Sequence, residues 1–281
     1  MSERRYKWVG TRQNRPDGAD KVTGRARFGA DFSLPGELVG RVLRSPHAHA
    51  IIKSIDVSKA AALPGVKAII TGADFPEQPD QMLPAGEMQV NLRDVTRNIM
   101  AKEKALYDGH AVAAVAATTA AIAQEALSLI KVEYEVLPHV IDVREAMKDD
   151  APILHPHMRT EGVTPAPTKA SNIAKRLEFN KGDVAAGFDK ADIVIEREFT
   201  TQPVHQGYIE PHAALASAAE DGQVQLWTTT QGHFQVRGFC CRLLNMETSQ
   251  LRVVPSEIGG GFGGKTVVYL EPLAIRLSQK C

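Results

Sequence analysis

The run Gly259-Gly260-Gly261-Phe262-Gly263-Gly264-Lys265-Thr266 is the densest concentration of chemistry-bearing residue types in the chain. Its five glycines let the backbone take positive φ and approach a ligand with no Cβ in the way. Successive amide N–H groups in such a loop form a nest suited to an anion or an oxo group. The same letters also satisfy two nucleotide patterns. Gly259, Gly264, Lys265 and Thr266 fall at phosphate-loop spacing, and Gly259, Gly261 and Gly264 at dinucleotide spacing. A phosphate loop is fed directly by a buried strand, yet Pro255-Ser256-Glu257 intervenes after Val254. The acidic residue expected about 20 residues beyond a dinucleotide loop falls past Cys281. A flexible turn without a ligand is the remaining reading.

Other reactive side chains are more scattered. His205, Glu210, His212 and His233 can be collected as metal ligands, but no pair has the i, i+4 spacing of a helical zinc site. His47-Ala48-His49 and His155-Pro156-His157 are weaker metal candidates still. Cys240 and Cys241 are adjacent, so on a helix they face about 100° apart and read as one core cysteine plus a spare thiol. No serine nucleophile elbow is present, which gives a hydrolase triad no support.

The elements that must position these residues alternate in type. Strands are expected over Val39–Leu43, Ala50–Val57, Val66–Thr71, His110–Ala117 and Ile130–Val136, with short helices capped by Ser58 and by Thr118 or Thr119. After a linker of mixed Pro, Thr, Ala and Gly over 158–171, a helix from Asp183 to Lys190 precedes strands over Ile193–Phe199 and Gln223–Thr229. Phe234, Gly238, Cys241 and Leu244 mark one face of a helix entering after Gln231, and Leu251–Val254 returns as a strand. This order fits the α+β class, with residues 1–157 and 172–281 on either side of the linker. Leu270, Leu273, Ala274 and Leu277 then form an apolar helical stripe, interrupted by Pro272, with no later helix to receive it. That ending suggests the front part of a longer protein, a complete small domain being the competing reading.

Length and composition bound the function. The 281 residues suit about two domains and a core that needs no disulfides. Thirty-three basic residues balance thirty-three acidic ones, so the excess that would capture nucleic acid is missing. No stretch is apolar enough to span a membrane, no leader can be assembled from the first residues, and three cysteines suit a reducing compartment, which makes cytoplasmic the expected location. Residues 1–27 carry eight Lys/Arg against Glu3, Asp17 and Asp20, the pattern of a solvated arm or a subunit-docking segment.

Several motifs in one order resemble a known family. They are Asp20-Lys-Val-Thr-Gly-Arg-Ala-Arg-Phe-Gly-Ala-Asp-Phe, Arg44-Ser-Pro-His-Ala-His-Ala, Leu63-Pro-Gly-Val, Gly182-Asp-Val, Glu210-Pro-His, Thr230-Gln231 and Gly259 to Lys265. From about Gly10 onward, the sequence resembles the molybdopterin-binding large subunit of the xanthine dehydrogenase/aldehyde oxidase family. The resemblance implies an a/b hammerhead domain followed by the first part of a molybdenum-cofactor-binding domain. It also implies a molybdenum-dependent oxidoreductase that oxidises an aromatic heterocycle or aldehyde with oxygen from water.

By the same resemblance, Gln231 matches the glutamine that bonds an oxygen ligand of molybdenum, and Phe262-Gly263 the backbone closing over the metal. Gly260, Gly261, Gly263 and Gly264 complete the cofactor-binding loop, and Glu210 reads as a supporting residue. The implied cofactor is Mo-molybdopterin, in plain or cytosine-dinucleotide form, with 2Fe-2S and FAD groups on partner subunits. Thr266 stands where purine-oxidising members carry a substrate-binding glutamate, which argues against xanthine as substrate. The family's catalytic base has no counterpart up to Cys281, so the stretch by itself should be inactive. The competing functions are a P-loop nucleotide hydrolase and a non-catalytic assembly module.

Overall fold

The structure is a computed structural model that describes residues 6–85 and 88–281, so the first five residues of the basic arm lie outside it. Its strands are β1 (Val39–Arg44), β2 (Ala50–Asp56), β3 (Val66–Thr71), β4 (Met82–Ala85), β5 (Met88–Asn91), β6 (Lys104–Ala105), β7 (Ala111–Ala117), β8 (Lys131–Val136), β9 (Ala214–Ala218), β10 (Val224–Thr228) and β11 (Leu251–Pro255). Its helices are α1 (Gly18–Thr23), α2 (Ser58–Ala61), α3 (Leu92–Ile99), α4 (Ala120–Leu129), α5 (Val143–Ala146), α6 (Val184–Asp189), α7 (His233–Leu244) and α8 (Glu271–Lys280). The α+β class read from the sequence is the class observed.

In the first half, β7 is the middle strand of an antiparallel sheet ordered β1-β7-β3. Every residue of β7 is buried, which explains its small apolar sequence Ala-Val-Ala-Ala-Val-Ala-Ala. Alternation sends Ala113, Val115 and Ala117 to one face, against Ala123, Ala126 and Leu127 of α4. It sends Ala114 and Ala116 to the other, into a cluster containing Leu273 and Leu277 of α8 and Leu226 of β10. The hammerhead half and the following half therefore share one apolar core. A second sheet, β6-β2-β8, and the β4-β5 hairpin complete the first half.

In the second half, β10 lies between antiparallel β9 and parallel β11. Parallel neighbours require a crossover, and α7 supplies it, packing on β11 and α8. Asn245 ends α7 in the left-handed conformation, and Gln78 Nε2 reaches across from the first half to the carbonyls of Arg242 (2.9 Å) and Leu243 (3.2 Å). Those are the carbonyls a helix end leaves without partners.

Five local expectations are corrected. Ile193–Phe199 forms no strand: Ile193, Ile195 and Phe199 are exposed and no neighbouring backbone edge pairs with them among the described residues, so local pattern has nothing to act on. Ser58 is the first residue of α2 and not its cap; Asp56 Oδ1 accepts the Ser58 N–H (2.9 Å). Pro272 does not interrupt α8, because it sits in the first turn, where no N–H is needed. The α8 stripe also has a receiver, since Leu273 and Leu277 are buried against the cluster facing β7. Cys241 is no spare thiol: it is buried, like Cys240, in the packed side of α7.

Candidate functional site

The β10-α7-β11 crossover fixes where the chemistry gathers. Both parallel strands point the same way, so Thr229-Thr230-Gln231, leaving β10, and the glycine loop, following β11, emerge at the same carboxyl-terminal end. Open sheets with parallel strands bind ligands at that end.

Gln231 joins the two segments. Its backbone N–H donates to the Lys265 carbonyl (2.9 Å), and its Oε1 accepts from the N–H groups of Gly263 (3.0 Å) and Lys265 (3.2 Å). Two donors on one side-chain atom settle which end of the amide faces the loop: it is the oxygen. The Nε2 amino group is left without an acceptor among the described residues, and the side chain is exposed. A Cβ on Gly261 would lie 2.6 Å from Gln231 Oε1, so only glycine allows this approach. Phe262 takes a positive φ of 47° and turns its ring outward, 71% exposed. The backbone N–H groups of residues 260, 261 and 262 find no acceptor among the described residues, the arrangement expected of an anion- or oxo-accepting nest.

Beneath the loop lies a buried ion pair. The Lys265 side chain is fully buried, and its Nζ donates to Glu210 Oε2 (2.8 Å), to the Glu210 carbonyl (2.9 Å) and to Thr229 Oγ1 (3.1 Å). Glu210 in turn accepts from Gly259 N–H (2.7 Å), Thr229 Oγ1 (2.7 Å) and, through Oε1, Gly29 N–H (3.0 Å). One carboxylate thus ties together the N-terminal arm, the end of β10 and the start of the glycine loop. Burial alone would raise the Glu210 carboxyl, but the Lys265 ammonium and the bonds from Gly259, Gly29 and Thr229 hold it below its usual range.

Tyr208 fills the space beside the loop, its ring 4.9 Å from Lys265 Nζ. Its hydroxyl lies 3.1 Å from His205 Nε2 and 2.9 Å from His212 Nε2. Burial pushes the His212 imidazole down, with the Glu271 carboxylate opposing. Thr266 Oγ1 donates to the Gly263 carbonyl (2.9 Å), fastening the loop's exit.

Two family descriptions match consecutive parts of the chain: the a/b hammerhead domain of aldehyde oxidase and xanthine dehydrogenase over residues 23–138, and the molybdopterin cofactor-binding domain over residues 166–281. The chain belongs to the xanthine dehydrogenase/aldehyde oxidase family. The carbon monoxide dehydrogenase large chain of Afipia carboxidovorans is 34% identical over 93% of this chain and 32% of its own length. The xanthine dehydrogenase molybdenum-binding subunit of Escherichia coli is 31% identical over 95% of this chain and 34% of its own. Among solved structures, quinoline 2-oxidoreductase from Pseudomonas putida superposes with a TM-score of 0.78 at 32% identity, covering 96% of this chain and 33% of that one. This member of the family therefore spans about a third of the length of those relatives.

The structure brings Gln231, Gly260, Gly261, Phe262, Gly263, Gly264 and Thr266 into one site. It overturns the nucleotide-hydrolase alternative, because the lysine that would meet a phosphate is sealed inside against Glu210. The helix that would open directly on such a loop begins only at Glu271. The residues weighed as metal ligands have other partners, in line with their spacing: His205 and His212 meet on Tyr208, Glu210 is spent on Lys265, and His233 opens α7 beside Phe234. Sequence reading missed the work of Lys265, Thr229, Gly29 and Tyr208. The one available signal was a lysine following five glycines, and it pointed outward when the residue points inward.

Proposed function

We propose that this chain is the cofactor-facing part of the large subunit of a molybdenum-dependent oxidoreductase that oxidises an aromatic heterocycle or an aldehyde with oxygen from water. The observation that carries the proposal is the anchored Gln231, whose oxygen is held by two loop amides while its amino group stays uncommitted beside a nest of free N–H groups. Neutral donors fixed in place suit an oxo or hydroxo group, because they stabilise it without adding charge or reorganising. The donor set therefore fits a molybdopterin centre held by Gln231 and the loop 260–264. When bound, that cofactor supplies two-electron oxidation of a substrate carbon and uptake of oxygen from water.

The protein's own contribution is orientation. Gln231 Nε2 would donate to the bound group, the free amides of 260–262 would line it, and the outward-turned Phe262 ring would cover one side. The neutral Glu210–Lys265 pair keeps the loop from relaxing. Thr266 is spent on the loop carbonyl, so a charged purine contact from that position is absent and substrates other than xanthine are favoured. Cys240 and Cys241 are buried and Cys281 is exposed, so these three thiols offer no iron–sulfur ligand set, and we assign the 2Fe-2S and FAD groups to partner subunits. A molybdopterin in plain or cytosine-dinucleotide form and a cytoplasmic setting belong to the same proposal. No helix among the described residues is long and apolar enough to cross a membrane.

The test uses the full-length protein with its partners. Metal analysis should find molybdenum, and Gln231→Ala should lower kcat by about 10²-fold, the usual effect of removing one preorganised donor, while molybdenum content and Tm stay within error. Absence of molybdenum, or unchanged turnover in the variant, refutes the proposal. A molybdenum-free chain that still captures partner subunits would establish the assembly-module alternative instead.

A further inference from the structure

A second constellation lies away from the glycine loop, where the segment after α5 meets α3. His155 and His157 occupy a tight turn in which Met158 N–H donates to the His155 carbonyl (3.0 Å). Pro156 between them fixes the backbone, and the two imidazoles stand edge to face with centroids 5.7 Å apart. The turn is held from both sides. Asn172 Nδ2 bonds the carbonyls of Ala146 (3.1 Å) and Pro152 (3.0 Å), and Arg159 Nη1 bonds those of Pro156 (2.8 Å) and Met158 (3.0 Å).

Asp94, in the first turn of α3, faces this pair. His157 Nε2 lies 3.2 Å from Asp94 Oδ1, and the three potential ligand atoms of Asp94, His155 and His157 all lie within 4.8 Å of one another. Ligand atoms around a tetrahedral zinc ion stand about 3.4 Å apart, and the His157–Asp94 pair at 3.2 Å is already near that spacing. The three residues are half-buried around a cavity of about 120 Å³, room enough for an ion and its solvent ligand.

Charged side chains of both signs ring this cavity. Arg93 is engaged by Asp80 (2.9 Å) and by Asp94 Oδ1 (3.3 Å), the same oxygen that faces His157 Nε2. Arg97 is faced by Glu103 (3.6 Å) and Lys102 by Glu77 (2.5 Å). Lys104 also lines the cavity, and Asp94 is shared between Arg93 and His157, so a bound cation would compete with Arg93 for that carboxylate. Two imidazoles and a carboxylate with open positions suit a divalent first-row transition cation better than calcium or magnesium, which prefer all-oxygen sets.

We propose that Asp94, His155 and His157 form a binding site for a divalent transition cation of the zinc type, which clips the 152–160 segment to helix α3. Such a clip joins positions 63 residues apart in the chain, His157 to Asp94, and fastens the stretch between the two family-matched regions to the first of them. The site uses no residue of the glycine loop and stands independently of the activity proposed above.

The experiment titrates Zn2+ and, for its spectrum, Co2+ into full-length protein freed of adventitious metal with a chelator, in a Cys281→Ser background that removes the exposed thiol. Wild type should bind one equivalent at this site, give Co2+ visible bands, and gain Tm on adding Zn2+ as ligand linkage requires. His155→Ala/His157→Ala should abolish the bands and the Tm gain. Asp94→Asn should weaken binding at least tenfold while keeping the Asn91 cap of α3, which uses the Asp94 backbone N–H. His139→Ala, an exposed control, should bind as wild type does. Wild-type binding in either the double-histidine or the Asp94→Asn variant, or no uptake by wild type, overturns the proposal.

Discussion

Replacing Lys265 by Met tests whether the buried pair beneath the glycine loop sets its stability. The substitution keeps the packing volume and removes three bonds from Nζ, at 2.8, 2.9 and 3.1 Å. It leaves Glu210 ionised in a mostly buried place, and stranding one partner of a buried pair costs about 3–5 kcal/mol. Glu210 keeps its bonds from Gly29, Gly259 and Thr229, which puts the expected cost at the lower end, about 3 kcal/mol. In a domain of this size that lowers Tm by roughly 6–12 °C. Glu210→Gln should cost a similar amount, since it strands the ammonium. The double variant removes both charges and should lose clearly less than the sum, with a coupling energy of about 2 kcal/mol. Glu210 is held below its ordinary value of 4.5, so its contribution is present above that value and is lost as pH falls through the folded one. Without Lys265 the folded value rises, and acid destabilisation must begin at a higher pH. Thermal unfolding of the four proteins across acid pH, with hydrogen exchange at residues 259–265, measures both effects. Additive costs, with coupling under about 0.5 kcal/mol, would refute the reasoning.

Two further outcomes follow from single contacts. Gly261→Ala places a methyl 2.6 Å from Gln231 Oε1 and must displace that side chain; turnover of the full-length protein should fall about tenfold or more with little change in Tm, and unaltered kcat would show that the Gln231 position is irrelevant. His110 is fully buried as one neutral tautomer, its Nδ1 accepting from Leu106 N–H (3.2 Å) and its Nε2–H donating to the Arg97 carbonyl (2.8 Å). Burial lowers its pKa from 6.5, against the backbone carbonyls of Arg97 and Asn98, so its stabilisation is full above 6.5 and declines as pH falls toward the folded value. His110→Gln should flatten the decline of stability below pH 6.5, read from urea midpoints; an unchanged slope counts against the assignment.

What the sequence discloses here is what short-range physics controls. The small apolar run His110–Ala117 announced a strand, the pair Thr118 and Thr119 announced a cap for α4, of which Thr119 is the one whose side chain accepts from Ile122 N–H, and the 3.6-residue stripe announced α7. The juxtaposition of Gln231 with Phe262-Gly263 came from family resemblance, since no periodicity relates residues so far apart. Long-range closure stayed hidden for the same reason. Glu210 and Lys265 are 55 positions apart, Gly29 is 181 from Glu210, and Asp94 is 63 from His157. Ile193–Phe199 shows the converse: its local signal for a strand is genuine, but a strand exists only where another backbone edge accepts it.

The alanines of β7 make the middle of the molecule a thin partition. Because Ala113 and Ala114 face opposite compartments from adjacent positions, widening either side chain would press on α4 in one direction or on α8 in the other, and the pleat would pass part of that pressure through. The partition's far side is walled by β10 and α8, whose own ends frame the glycine loop. A bulky change near Thr118 and α4, remote from any reactive group, thereby has a mechanical route to the distance between Gln231 and the backbone it grips.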